Sequence, residues 1–256
     1  MLSSPKLDIL ALAAHPDDVE ISCAGTLVLH VAKGYKVGIV DLTKGEMGTR
    51  GTPEIRMKEA EEASRVLGLS VRYNMGLPDC FFQNDPESQK ALITQIRRFR
   101  PEIVLCNAPD DRHPDHGKGA SLEMDSCFFA GLPKVETWWE GKKQEAWRPK
   151  HVYHYMQDRL FIPDFVFDIT PFWEEKRKAL KAFGSQFYDP NSKDPETYIS
   201  TTAFWEFLEG RAREMGHYIG AHYGEGFQKT KMLGYKISST WDKVRFFACL
   251  SIFNFP

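Results

Sequence analysis

Along the first 107 residues, short unbroken apolar runs alternate with longer stretches in which apolar and charged residues mix at helical spacing. Residues 8–14 (DILALAA) form an apolar run that stops at His15-Pro16, as a strand buried on both faces does. Val19 to Lys33 then reads as one helix, with Asp17 or Asp18 as its cap, Leu27 and Val31 on a common face, and Gly34 at its end. Lys36–Leu42 is the next predicted strand. A Gly- and Thr-rich loop follows, then Pro53 in the first helical position and a helix over Glu54–Leu67 closed by Gly68. The same grammar predicts a strand at Leu69–Asn74, a helix at Glu87–Phe99 stopped by Pro101, a strand at Glu102–Asn107, and a polar loop from Ala108 to His116.

Strands alternating with helices of this length predict an α/β fold: a doubly wound, mostly parallel, Rossmann-like sheet with helices on both faces. Beyond residue 130 the alternation loosens. Residues 131–149 read as loop, Val152–Met156 and Phe165–Ile169 as strands, and Pro171–Phe183 and about Thr202–Met215 as helices. No linker divides the chain. Residues 1–235 are read as a single domain with an elaborated C-terminal part, and 236–256 as a tail with no assigned role.

Composition narrows the function. With 33 basic and 35 acidic residues in 256, the chain lacks the basic excess that a general nucleic-acid binder needs to displace counterions. Five scattered cysteines without a CxxC pair argue against a disulfide framework and for a reducing, cytoplasmic setting. The N-terminus does not read as a signal peptide, and no window approaches the ~20 apolar residues of a membrane span. Only Tyr35 and Tyr73 among the aromatic residues precede position 80, so aromatic walls and contacts are expected from the later part.

Two polar clusters interrupt the pattern, each directly after a predicted strand: His15-Pro16-Asp17-Asp18 and Arg112-His113-Pro114-Asp115-His116. Ligands of doubly wound sheets bind at the carboxyl ends of strands where the strand order reverses. In a sheet of order 3-2-1-4-5 the first and fourth strands flank that point, so the clusters would face each other. Two imidazoles and a carboxylate with an open position suit a catalytic zinc ion. His15, Asp18 and His116 are the candidate ligands, Asp17 is free beside them to take a proton from water, and His113 is within reach of the same centre. Alone, the first cluster is also what a capped strand-end turn looks like, and the second what a pair of surface histidines looks like. His30, His151, His154, His217 and His222 have no such context and read as structural or solvated.

LAAHPDDVEISCAGTL followed by PDDRHPDH resembles the LmbE-like (PIG-L) family of zinc-dependent N-acetylglucosamine deacetylases. The resemblance runs from about Leu7 to Tyr235, through TKGEMGTRGT, Gly184-Ser185-Gln186-Phe187 and HYGEGF. The GEMGTRG loop and its spacing are most similar to the bacillithiol-biosynthesis branch, which deacetylates N-acetyl-alpha-D-glucosaminyl L-malate. The resemblance implies zinc ligands at His15, Asp18 and His116, with Fe2+ or another divalent ion as the alternative. It also implies a general base at Asp17, a catalytic histidine at His113, and Asp115 as the residue that orients His113. The group that returns the proton to the amine is Asp17 or His113. A C-terminal tyrosine that contacts the oxyanion is Tyr198, another tyrosine, or absent, since Phe204 stands at the matching distance from HYGEGF.

A malate-bearing substrate calls for a carboxylate partner, and a bidentate arginine is the natural one. Arg50 in the GEMGTRG loop is the first choice and Arg112 the second. Asp110 and Asp111 read equally as sugar-hydroxyl acceptors or as loop solvation. Trp138, Trp139 and Phe81 are candidate cleft walls. The expected partner is a small glycoconjugate, with no nucleic acid and no membrane span, and the family's habit implies a homo-oligomer, trimer or hexamer. Two other readings stay open: deacetylation of another N-acetylglucosaminide (an inositol conjugate, a chitobiose-type sugar or an antibiotic precursor), and a non-catalytic metal- or sugar-binding protein.

Overall fold

A computed structural model describes residues 4–232; the tail read at 236–256 lies outside them. In chain order, β1 (Ile9–Ala13) leads through α1 (Asp18–Ser22) and α2 (Ala24–Ala32) to β2 (Val37–Thr43). Then come α3 (Pro53–Leu67), β3 (Val71–Leu77), α4 (Pro86–Phe99), β4 (Ile103–Cys106) and α5 (Pro114–Phe129). A hairpin of β5 (Trp138–Trp139) and β6 (Lys142–Lys143) precedes β7 (His151–Tyr155), β8 (Phe165–Asp168), α6 (Trp173–Lys181), α7 (Thr202–Ile219) and β9 (Gly224–Lys229).

Three helices begin alike. In α3, α4 and α5 a proline takes the first turn, where its missing N–H is no loss, and the preceding Thr52, Asp85 or His113 accepts a main-chain N–H with its side chain. Gly68 closes α3 at φ 67°, a left-handed conformation that costs glycine little.

The main sheet has the order β3-β2-β1-β4-β7-β9-β8. Its first five strands are mutually parallel, with β1 at the point where the order reverses. β9, absent from the sequence reading, inserts antiparallel between β7 and β8. The alternating side chains of β1 feed two cores. Ile9, Ala11 and Ala13 join Leu27, Ala60, Leu180 and Phe204 on one face, while Leu10, Leu12 and Ala14 join Leu92, Ile96, Phe99 and Leu122 on the other. A strand buried on both faces is the reason residues 8–14 show no polar alternation.

The helix expected over 19–33 is two helices. At Cys23 the backbone leaves the helical region (φ −139°, ψ 17°) and α2 starts afresh. A new start exposes N–H groups that need partners. Glu225 of β9 supplies them, accepting from Gly25 N (3.1 Å), Thr26 N (2.7 Å) and Thr26 Oγ1 (2.6 Å), while Lys176 of α6 pairs with it at 2.6 Å. Both charged side chains are buried. Replacing Glu225→Ala strands the Lys176 ammonium and the helix start together. The expected loss is about 3–5 kcal/mol in urea unfolding.

Candidate metal and hydrolase site

The loops that follow β1 and β4 meet at the carboxyl edge of the sheet. Where the β1–β4 ladder ends, Asn107 replaces it with a side-chain bond, its Oδ1 accepting from Ala14 N at 2.9 Å. The tight turn after β1 brings Asp18 back under His15, and Asp18 Oδ2 accepts from His15 N at 2.9 Å. Asp18 therefore binds within the turn and does not cap a helix; the Asp17 side chain makes no cap bond either. The same carboxylate lies between two imidazoles, with Oδ1 3.0 Å from His116 Nε2 and Oδ2 3.7 Å from His15 Nδ1. His113 packs edge-on to His15 and stacked on His116, with ring centroids 4.7 and 5.2 Å apart. Four motif residues, His15, Asp18, His113 and His116, are thus brought together.

Carboxylates stand behind both imidazoles that flank Asp18. His15 Nε2 meets Asp79 Oδ1 at 3.0 Å, and His116 Nδ1 bonds to Asp111 Oδ2. Carboxylates in this position orient a metal-ligating imidazole and raise its basicity. Asp115, expected to orient His113, is turned elsewhere. Its carboxylate accepts from Cys80 N (2.9 Å), pairs with Lys118 (2.6 Å) and lies 3.4 Å from His15 Nε2. What holds His113 is the main-chain N–H of Asp115, donated to His113 Nδ1 at 3.2 Å. As the cap of α5, His113 is fixed with Nδ1 as acceptor, so its proton sits on Nε2.

Asp17 has φ 118°, a backbone conformation that costs a non-glycine residue on the order of 1–3 kcal/mol and that concentrates at functional sites. Arg56 of α3 holds it there, donating to Asp17 Oδ2 (2.6 Å) and to Pro16 O (3.1 Å). The sequence reading missed Arg56, yet a signal was present: Arg56, Ala60, Ala63 and Leu67 form the buried stripe of α3, and one member of that stripe is charged. Burial pushes the Asp17 carboxyl above its ordinary range, against the opposing pull of Arg56.

Five buried carboxylates (Asp17, Asp18, Asp79, Asp111 and Asp115) crowd around the three imidazoles, with Arg56 and Lys118 as their paired cations. Burial lowers the basicity of His116, but the charge of Asp18 and the bond to Asp111 more than reverse this and raise its pKa to about 9. At His15 burial is likewise outweighed, by the bonds to Asp115, Asp18 and Asp79. His113 lies further from the carboxylates, and burial followed by the charges of His15 and His116 lowers its pKa. Donor atoms from His15, His113 and His116 lie within 4.8 Å of one another, as do those from His15, Asp79 and Asp115. An excess of negative charge around nitrogen and oxygen donors fits a divalent cation of borderline softness.

The expected substrate residues fare differently. Arg50 is buried and its guanidinium is committed to the segment beyond α6, donating to Ser185 O (2.9 Å), Pro195 O (3.1 Å) and Ser192 Oγ (2.8 Å). It pins that segment to the GEMGTRG loop and presents no fork to a ligand. Arg112 stays accessible, with its side chain 45% exposed, 4.3 Å over the ring of Tyr198 and 3.7 Å from Asp158. Among other candidate tyrosines, Tyr155 donates to Leu12 O and Tyr223 to Glu209, while Phe204 is buried in the core. Asp110 pairs with Arg159, and Asp111 is taken by His116. Phe81 is exposed beside Cys80 at the site. Trp139 instead stacks on Arg98 near the end of α4, by the opposite edge of the sheet.

A family model described as "PIG-L: GlcNAc-PI de-N-acetylase" matches residues 10–126, the span that carries both motifs. The chain belongs to the PIG-L family. A conserved protein of Thermus thermophilus superposes with a TM-score of 0.80 and 36% identity, over 93% of this chain and 99% of that one. Diacetylchitobiose deacetylase of Thermococcus kodakarensis is 28% identical over 86% of this chain and 82% of its own. A probable N-acetyl-alpha-D-glucosaminyl L-malate deacetylase 2 of Bacillus anthracis is 26% identical, covering 77% and 93%. A 4-oxalmesaconate hydratase of Pseudomonas putida is also 26% identical, covering 72% and 76%. PIG-L is a family of hydrolytic, metal-dependent deacetylases, and this chain is one of its enzymes.

Behind the PIG-L site, Glu123 of α5 is buried, accepts from Asn107 N at 2.8 Å through Oε2, and has the Cys106 thiol beside it. Burial pushes its carboxyl up to about 8. A carboxyl raised on folding contributes stability that is complete below its unfolded pKa, about 4.3, and lost as pH rises through about 8. Glu123→Gln keeps the acceptor without the proton. Its stability relative to the parent should rise steadily between pH 5 and about 8 in chemical unfolding.

Proposed function

We propose that this chain hydrolyses the N-acetyl group of an N-acetylglucosamine conjugate, with N-acetyl-alpha-D-glucosaminyl L-malate as substrate and Zn2+ as the metal. The observation that carries this reading is the placement of Asp18 between His15 and His116, with the strained, arginine-held Asp17 beside them. His15, Asp18 and His116 are the residues that would hold the ion. His113 is left out because its Nδ1 is committed to the start of α5. A divalent metal bound there supplies Lewis-acid stabilisation of developing charge and acidifies water.

The chain's own residues supply the rest. Arg56 occupies Asp17 Oδ2, which leaves Oδ1 to take a proton from the attacking water. The raised Asp17 pKa matches that task. His113, neutral by its lowered pKa and protonated on Nε2, donates a hydrogen bond to the oxyanion that forms from the acetyl carbonyl. As the C–N bond breaks, Asp17 returns the proton to the amine, and the products are acetate and the free amino sugar.

Arg112, stacked on Tyr198 at the rim, takes the malate carboxylate in place of Arg50. The GEMGTRG loop and the Bacillus anthracis relative support malate over a neutral aglycone. The unpaired thiols Cys23, Cys80, Cys106 and Cys127 support a reducing, cytoplasmic setting, and no helix among the described residues is long and apolar enough to cross a membrane. Exposed Phe128 and Trp138 offer apolar surface for assembly as a trimer or hexamer.

Acetate release from a panel of N-acetylglucosaminides tests the reading. Asp17→Asn should lower the rate by about 10²–10⁴ while bound metal stays near one ion per chain. Unchanged turnover overturns the mechanism, and addition of water to a carbon–carbon double bond without acetate release would favour the activity named for the Pseudomonas relative. Arg112→Ala should raise KM about ten-fold or more for the malate conjugate. An equal rise with neutral aglycones overturns the malate assignment.

A further inference from the structure

We propose that Asn107 is a positioning residue for the metal site: its side-chain amide dictates which oxygen of Asp18 is free to bind the ion. The proposal rests on Asp18 being a metal ligand. Asn107 is fully buried at the end of β4, and every hydrogen-bonding group of its amide has a partner. Oδ1 accepts from Ala14 N at 2.9 Å, and Nδ2 donates to Asp18 Oδ2 at 3.2 Å and to Gln157 Oε1 at 3.1 Å. The orientation of the amide is unambiguous. Ala14 N can only donate, and Gln157 Oε1 already accepts from Ala108 N at 2.9 Å. The main chain of Asn107 is held as firmly, its N–H by Glu123 and its carbonyl by His154 Nδ1.

Three strand ends thereby converge on one side chain: β1 through Ala14, β4 through Asn107 itself, and β7 through Gln157. The consequence falls on Asp18. Its Oδ2 takes two donors, His15 N and Asn107 Nδ2, so Oδ1 is the oxygen left facing His116. A carboxylate tied at one oxygen cannot rotate to offer the other. Only an amide serves both sides of this position, because a carboxylate would oppose Asp18 and Gln157 Oε1, and an apolar side chain would leave Ala14 N without a partner and take from Asp18 Oδ2 one of its two donors.

The test compares Zn2+ affinity of the full-length protein, measured by competition with a chromogenic chelator, in the parent, His116→Ala, Asn107→Leu and Gln157→Met. Asn107→Leu should bind Zn2+ about 10–100-fold more weakly, the range typical for loss of a partner to a metal ligand. Its kcat should fall with KM unchanged, because the substrate walls are untouched. Gln157→Met removes one acceptor from Nδ2 and should give a smaller loss of affinity in a protein that unfolds cooperatively. It decides the matter if Asn107→Leu does not fold. Parental Zn2+ affinity in the folded variants, even with a lowered Tm, overturns the positioning role and makes Asn107 purely structural. Equal affinity in the parent and His116→Ala overturns the ligand assignment itself, and the positioning role falls with it.

Discussion

The site is built around a surplus of buried negative charge. Asp17, Asp18, Asp79, Asp111 and Asp115 lie together at the edge of the sheet, where a carboxylate without a partner would be driven to take up a proton. Much of the surrounding structure answers that constraint. Arg56 reaches Asp17 from α3, Lys118 reaches Asp115 from within α5, and His116 and His15 are wedged among the remaining oxygens. Main-chain N–H groups of His15, Cys80, Met47 and Arg159, with the amide of Asn107, donate to the same carboxylates. A cation at the centre would complete the compensation, so the same charges that strain the fold give it affinity for metal.

Topology makes this concentration possible. In the order β3-β2-β1-β4-β7, chains leave β1 and β4 on opposite faces of the sheet, and the gap between them opens at its carboxyl edge. Two loops distant in sequence can then supply one donor set without either crossing the other. Helices α1 to α3 approach from one core and α5 from the other, so Arg56 and His116 arrive from opposite sides of the sheet.

Much of this was legible in the sequence. Apolar runs ending at His15 and Asn107 marked both strands and the polar clusters beyond them, and the expected strand order put those clusters face to face. Other elements were hidden for physical reasons. Helix α5 buries Asp115, Gly119, Glu123 and Ser126 along with its apolar residues, because it faces a polar site, and so it shows no clean apolar period. Strand β9 (GEGFQK) carries glycines where α7 presses close: a Cβ on Gly224 would lie 2.8 Å from Gly216 N. Such a segment looks like a turn. Arg50 was read by loop position alone, and its loop is covered by another segment. Arg56 was missed because it lies in a helix whose charges all looked solvated. Asn107 gave no sign, since one polar residue at a strand end is what a loop start looks like.

The bond from Glu225 to the start of α2 spans two hundred residues of sequence. A ribosome delivers the turn at His15 first and the strand that anchors the following helix about two hundred residues later. Until β9 emerges, the N–H groups at the start of α2 lack their carboxylate, and Lys176 waits for its counter-charge. Contacts of this separation slow folding, because the entropy of closing a long loop is lost before the contact forms. The nascent chain therefore carries both polar motifs before the helix that follows the first of them is anchored. Anchoring of the helix beyond the His15 turn thus waits for β9, and a truncation before residue 225 would leave the start of α2 without its carboxylate while removing none of the motif residues.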